Sequence, residues 1–385
     1  MIPYGRQEIT QADIDAVVAA LKSDFITQGP SVPRFERKVA DYCGAQHAVA
    51  VNSGTSALHI ACLALGLGPG DLLWTSAVTF VASANCGLYC GTNVDFVDID
   101  PRTYNLCPNA LEKKLIAAEK AGQLPTVVVP VHLCGQSCDM RAIHKLSRQY
   151  GFKVLEDASH AIGGKYRDNI IGNCRYSDMT VFSFHPVKLV TTAEGGLATT
   201  NDEDMAQRMD RLRVHGITRD PRAMSKEPDG PWYYEQVELG FNYRMSDLHA
   251  ALGVSQMDRL DTYVAARHRL AQRYDELLEG LPVRTPWRSA DGYSAFHLYV
   301  IRVDDGAGTR HKTIFEALRE RGIGVNLHYM PVHLQPYYRA MGFSEGQFPE
   351  AERYYHEAIS LPLFPTMSES QQDTVVEALR AACSQ

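Results

Sequence analysis

Between Ala48 and Thr200 the chain alternates short apolar runs with helical patterns, and that alternation leaves few folds open. Ala48 to Val51, Leu72 to Thr75, Val94 to Ile99, Thr126 to Val131, Lys153 to Glu156, Met179 to Phe184 and Leu197 to Thr200 read as strands. Such short, largely apolar runs suit strands buried on both faces. Helical patterns separate most of them: from Ser53 onward, from Phe80 to Tyr89, from Ala110 to Ala121 and from Met140 to Tyr150. The repetition predicts an α/β fold with a mostly parallel sheet covered by helices. Ligands of such sheets gather beyond the carboxyl ends of the strands. The residues that follow each run are therefore where the chemistry is expected.

Two of those places carry chemistry together. The run Met179 to Phe184 stops at His185-Pro186, which cannot continue a regular ladder. Lys188 follows in otherwise uncharged surroundings, then Thr191, Thr192 and a Glu194-Gly195-Gly196 turn. A lysine among apolar neighbours is costly unless its charge is lost or used. Taken alone, Lys188 would be a loop residue after a buried strand. Upstream, however, Glu156-Asp157 ends the run that begins at Phe152. A carboxylate there, about thirty residues before Ser183-Phe-x-x-x-Lys188, suits pyridoxal phosphate chemistry, in which the acid holds the pyridinium proton and the lysine carries the aldehyde. Asn52-Ser53-Gly54-Thr55-Ser56-Ala57 lies between a strand and a helix, where free N–H groups and hydroxyls form a phosphate cradle or simply a capped helix.

Further motifs follow in a fixed order: Glu156-Asp157-Ala158-Ser159-His160, Gly240-Phe241-Asn242-Tyr243-Arg244-Met245 and His328-Tyr329-Met330-Pro331. Together with the stretches above they closely resemble the sugar-nucleotide aminotransferases of the DegT type, within the fold type I pyridoxal-phosphate enzymes. The likeness runs from Tyr4 to about Pro362. It is nearest to enzymes that aminate C4 of a UDP-linked 4-keto-6-deoxy-N-acetylhexosamine on the way to pseudaminic acid. The resemblance implies the PLP-dependent transferase fold type I, with a smaller C-terminal α+β domain. It implies pyridoxal 5'-phosphate as cofactor, a nucleotide sugar as substrate and an amino donor, expected to be glutamate. Amination at C3, or of another nucleotide-linked ketosugar, stays open.

The same resemblance assigns residues. Lys188 would be catalytic. Thr55, Ser56 and Ser183 would contribute to the phosphate cup, and Phe80 would lie against the pyridine face, although a helix-buried core phenylalanine is the plainer reading. Asp157 would pair with the ring nitrogen. His160, at a position often filled by glutamine in the family, would face the ring hydroxyl. Asn242 would reach the phosphate of a neighbouring subunit, which implies a homodimer with shared sites. Tyr4, the loop Phe25-Ile26-Thr27, and Leu327, His328, Tyr329 and Met330 resemble the segments that hold the sugar nucleotide. Dehydratases of this fold replace the lysine with histidine, so Lys188 argues against dehydration.

Beyond Ser246 the pattern shifts to long helices as far as about Glu279. Leu298 to Val303 and Val325 to His328 read as strands around a helix from Thr313 to Arg321, and a last helix spans Ser368 to Ala382. This suggests a large PLP-binding α/β domain over 1–250 and a small α+β domain over 251–385. At the start, Thr10 and Asp13 can cap a helix whose Ile14, Val17, Val18 and Leu21 form an apolar stripe. Asp220 to Gly230 reads as a mobile loop.

Composition closes off other classes. A net charge of −7 argues against a nucleic-acid surface. Ala250 to Leu260 has a helix-turn-helix flavour that would suit a DNA-binding regulator, but Asp247, Asp258 and Asp261 surround it and no basic stripe accompanies it. No run reaches eighteen apolar residues, so no membrane span is expected. Met1 to Arg6 lacks a signal-peptide pattern, and nine cysteines, an odd number, favour reduced thiols in a cytoplasm. Cys86 with Cys90, and Cys134 with Cys138, lack the further ligands a zinc site needs, so no metal is expected.

Overall fold

The computed structural model describes residues 1–303 and 310–384. Its centre is a seven-stranded sheet: β1 (His47–Val51), β2 (Leu72–Ser76), β3 (Asn93–Val97), β4 (Val127–Val129), β5 (Lys153–Asp157), β6 (Met179–Ser183) and β7 (Gly196–Thr200). Their order across the sheet is β1-β7-β6-β5-β4-β2-β3. The pairs from β3 through β6 are parallel, and β7 lies antiparallel to both β6 and β1. Only β7 is reversed, so the carboxyl ends of six strands and the start of β7 share one edge.

Two helices, α1 (Gln11–Leu21) and α2 (Ser31–Cys43), precede the sheet. Alternate residues of the strands feed two cores, as the pleat requires. Leu73, Val127, Val129 and Leu155 join one cluster with α3 (Gly54–Ala64) and α4 (Ala82–Tyr89). Trp74, Val128 and Val154 face the other side, against α5 (Pro108–Ala121) and α6 (Met140–Tyr150). Near β1, a third cluster gathers Phe35 and Val39 from a helix at Ser31–Cys43 with Phe182, Phe184, Val254 and Leu260.

The C-terminal part has a three-stranded antiparallel sheet, ordered Val283–Arg284, Tyr299–Val303, Ala358–Leu361. Its cluster includes Tyr274, Ile301, Ile314, Ile359 and Leu379. Buried side chains of the helix Leu260–Leu277 serve both clusters, Leu260 and Val264 the third one above and Leu270, Ala271 and Tyr274 this one. The N-terminus is tied to this part, since Ile2 N–H donates to Gly322 O and Gly324 N–H donates to Ile2 O.

Three local expectations change, and the helix-turn-helix alternative falls away. Val325 to His328 is not a strand: only Asn326 bridges Ser360, and Leu327 N–H turns to the Asn326 side chain instead of a ladder. The helix after β2 starts at Ala82, which leaves Phe80 outside it and 57% exposed. In the first helix, Gln11–Leu21, the stripe of Ile14, Val18 and Leu21 is exposed, and the buried positions are Asp13 and Ala20. Its Asp13 carboxylate is held inward by the Arg259 guanidinium and the Gln256 amide. Ala250 to Leu260 belongs to the helix Asp247–Met257 and its end, and Ala250, Val254 and Met257 are core residues with no face to offer a groove.

Candidate active site

The shared edge of the sheet opens into a cavity of about 470 Å³. Val51 of β1 and Ser183 of β6 both pair with Gly196 at the start of β7. A side chain at Gly196 would place its Cβ 2.2 Å from Ser53 O, and one at Gly54 would sit 3.0 Å from Ser183 Cβ. The two glycines thus let the α3 N-terminus close onto β6 and β7. Ser53 caps α3 by accepting from Ser56 N–H at 3.1 Å, while the Ser56 hydroxyl donates to Asn52 Oδ1 at 2.6 Å. The first-turn N–H groups of Gly54 and Thr55 precede the helical ladder, and the helix dipole favours an anion there. Ser53, Gly54, Thr55 and Ser183 line the cavity, whereas Ser56 is spent on the cap.

Successive carboxylates of β5 point to opposite faces and do different work. Glu156 is enclosed: His132 Nε2 lies 2.6 Å from Oε2, and Thr180 donates to Oε1 at 3.1 Å, beside Ser177. Burial works to raise the Glu156 carboxyl, and these hydrogen bonds overcome it and hold it below the usual range. Asp157 lines the cavity. Its Oδ2 accepts from Ser83 at 2.6 Å, its Oδ1 from Ser159 N–H at 3.1 Å, and Ser83 in turn lies 2.7 Å from the Thr79 hydroxyl.

Lys188 sits in the connection between β6 and β7, which is clamped where Phe184 N–H meets Gly195 O and Thr192 N–H meets Phe184 O, each at 2.9 Å. Burial pulls the Lys188 ammonium down to about 8, against the opposing pull of the Asp157 carboxylate. An amine so placed is uncharged in a useful fraction near neutrality.

The opposite wall comes from distant segments. His160 Nε2 lies 3.1 Å from Tyr329 Oη. His328 bonds Ser360 through Nδ1 at 2.8 Å, and burial together with Lys188 lowers it to about 4. The Tyr4 ring packs 5.3 Å from that of His328, and the Phe80 ring 6.0 Å from that of Tyr329. His297 also lines the cavity, its Nδ1 buried without a hydrogen-bond partner among the described residues.

The structure therefore gathers Tyr4, Thr55, Phe80, Asp157, His160, Ser183, Lys188, Leu327, His328 and Tyr329 around one cavity. Ser56, Met330, Phe25, Ile26, Thr27 and Asn242 are not in its lining. Phe25 and Ile26 are exposed on a loop held by Asp247, which takes Gly29 N–H and Ser31 N–H at 2.7 Å each. Asn242 is exposed, with its carbonyl 3.4 Å from the Asn52 amide. Sequence reading missed Thr79, Ser83 and His297. The two hydroxyls, four residues apart just after β2, were a legible signal. His297 gave none, because its place depends on packing between distant segments. Among the described residues no group of three or more His, Cys, Asp or Glu side chains could hold a metal.

A flat cationic ring bearing a phosphate fits this donor set. The glycine-lined cradle at the α3 N-terminus suits the phosphate, Asp157 a ring cation, exposed Phe80 a ring face, and Lys188 an aldehyde carbon. Comparison with known proteins agrees. Residues 7–380 match the model of the DegT/DnrJ/EryC1/StrS aminotransferase family. The spore coat polysaccharide biosynthesis protein SpsC of Bacillus subtilis (strain 168) is 41% identical over 384 residues, 98% of this chain and 96% of SpsC. The sugar aminotransferase Spr1654 of Streptococcus pneumoniae, described as putative and solved in its PMP form, superposes with a TM-score of 0.91 at 30% identity, covering 100% of this chain and 99% of that one. Helicobacter pylori PseC, an aminotransferase of pseudaminic acid biosynthesis, does so with a TM-score of 0.91 at 28% identity, with the same coverage. Family, fold and donor set converge on one enzyme class with pyridoxal phosphate as its cofactor: the chain belongs to the DegT/DnrJ/EryC1/StrS family of sugar aminotransferases.

Proposed function

We propose that this aminotransferase moves an amino group from glutamate to the C4 keto carbon of a UDP-linked 4-keto-6-deoxy-N-acetylhexosamine, in a pseudaminic acid-type pathway. The observation that carries the reading is the full-length likeness to PseC around a cavity with one lysine. SpsC, named for a spore coat polysaccharide, supports a second reading, amination of a different nucleotide-linked ketosugar.

Bound pyridoxal phosphate supplies an electron sink that makes the α-proton of the amino donor acidic. Lys188, with its depressed basicity, would take that proton in the donor half of the reaction and, in the other half, deliver a proton to C4 of the sugar. Asp157, fixed by Ser83 and Ser159, holds the ring cation. Thr55, Ser183 and the α3 N-terminus bind phosphate, with Ser56 supporting them through the cap. Tyr4, Leu327, His328 and Tyr329 face the sugar nucleotide. Asn242, outside the lining of a single chain, serves the phosphate of a site completed by a second copy, and Phe25, Ile26, Thr27 and Met330, also outside that lining, belong to the segments that hold the sugar nucleotide. The active unit is accordingly a homodimer in the cytoplasm, its protomers divided into parts 1–250 and 251–385. Incubation with UDP-ketosugars and glutamate, followed by NMR of the product, tests the reading. A new amino group at C4 is expected. Amination at C3, or of another nucleotide's sugar alone, overturns the substrate assignment.

A further inference from the structure

A backbone N–H can only donate, and one such bond orders three residues of the cavity wall. Cys134 N–H points to His160 Nδ1 at 3.3 Å. That nitrogen accepts, so the proton of the imidazole resides on Nε2. Nε2 lies 3.1 Å from Tyr329 Oη, so the imidazole donates and the phenol oxygen accepts. The phenol proton is left over, and among the described residues no protein atom takes it, while the ring lines the cavity.

The surroundings keep this arrangement uncharged. Burial, with Lys188 and His328 facing it, holds the His160 imidazole well below its ordinary range. The His297 ring stands 4.4 Å away and is kept neutral by burial, by His160 and Lys188, and by the buried Arg267 guanidinium. Burial pushes the Tyr329 phenol up, so it stays protonated.

We infer that Cys134, His160 and Tyr329 form a one-way hydrogen-bond relay in which Tyr329, not His160, offers the donor to an acceptor oxygen of the bound ligand. His160 is then a positioning residue, because its one proton is already committed to Tyr329. The direction of the relay is independent of the ligand, whereas the acceptor rests on the function proposed above. Two oxygens share the required chemistry: the phenolic oxygen of the cofactor and a carbonyl or hydroxyl oxygen of the ketosugar.

The test begins on the protein freed of cofactor, with ¹⁵N-labelled histidine. The His160 signals, identified by their loss in His160→Gln, should show a bare Nδ1 and a protonated Nε2. A proton on Nδ1 overturns the relay whatever the substrate proves to be. With cofactor restored, Tyr329→Phe should lose about 10- to 100-fold in kcat/KM, as expected for a bond to a polar or charged acceptor. His160→Gln, whose amide can accept from Cys134 and donate to Tyr329, should keep most activity, and His160→Ala should match Tyr329→Phe. A pH titration of the cofactor's absorbance, without sugar, separates the two acceptors. A shifted midpoint in Tyr329→Phe assigns the cofactor oxygen. An unshifted midpoint with a raised KM for the ketosugar assigns the sugar oxygen. If neither moves, Tyr329 is not the donor and the inference fails.

Discussion

Ser83, in the first turn of α4, donates its hydroxyl proton to Asp157 Oδ2 at 2.6 Å at the end of β5, and so fixes the direction of the buried carboxylate that lines the cavity. Thr79, 2.7 Å behind it, keeps the Ser83 hydroxyl turned that way. Asp157→Asn preserves shape and removes charge, and is expected to lower kcat on the order of 10²-fold. Ser83→Ala leaves the charge and loosens its aim, with an expected loss of roughly 10-fold, as for one hydrogen bond to a charged group. Steady-state kinetics of the two variants side by side checks the ranking. Equal activity of Asp157→Asn and the parent would place the ring-nitrogen partner elsewhere.

Lys188→Ala and Lys188→Arg are each expected to cut turnover by about 10²- to 10⁴-fold or more, since both remove the group that carries the proton. Borohydride treatment of the cofactor-loaded parent, followed by peptide mapping, should find the reduced cofactor on Lys188. A label on Lys165 or Lys153 instead would refute the assignment.

The lowered basicity of Lys188 has a direction that can be measured. Above pH of about 8 the amine is mostly free, and below it mostly charged and unable to capture an aldehyde. Uptake of pyridoxal phosphate by the cofactor-free protein should therefore accelerate as pH rises and reach half its limit near pH of about 8. Asp157 supports the charged form, so Asp157→Asn should move the midpoint downward. A midpoint in the ordinary lysine range, unmoved by Asp157→Asn, would contradict burial as the cause.

Asn242 tests the shared site. It is exposed and lies outside the cavity of its own chain. If it serves a neighbour's phosphate, Asn242→Asp should inactivate by repulsion. Mixing that chain with Lys188→Ala should then restore activity, since one site of a mixed dimer has both native residues. Full activity of Asn242→Asp alone, or no recovery after verified subunit exchange, would end the shared-site proposal.

Much of this was legible because strands carry their signal locally. The seven runs fall within a few residues of β1 to β7, since most of their positions are buried and apolar residues fill their middles. Lys188 and Asp157 stood out because charge after an apolar run is expensive wherever the chain goes next. What failed depended on tertiary neighbours. Ile14, Val18 and Leu21 made a convincing inward stripe, yet Arg259 and Gln256 draw Asp13 inward instead. Val325 to His328 had strand composition, but the Asn326 side chain diverts the backbone. The orientation of Tyr329 rests on a bond from Cys134 to His160, and no pattern in the sequence reports it.

The reversal of β7 has a mechanical consequence. A parallel crossover would have hung Lys188 on a segment that leads away to a helix, and any tilt of that helix would have moved the amine. Here the segment is a closed loop stitched to the sheet at both feet, through Ser183 with Gly196 and Phe184 with Gly195. Tyr4, Leu327 and His328, by contrast, ride on the C-terminal part, to which the first residues are laced through Ile2. Substitutions on that rim can then retune what the cavity accepts without disturbing the fixed amine.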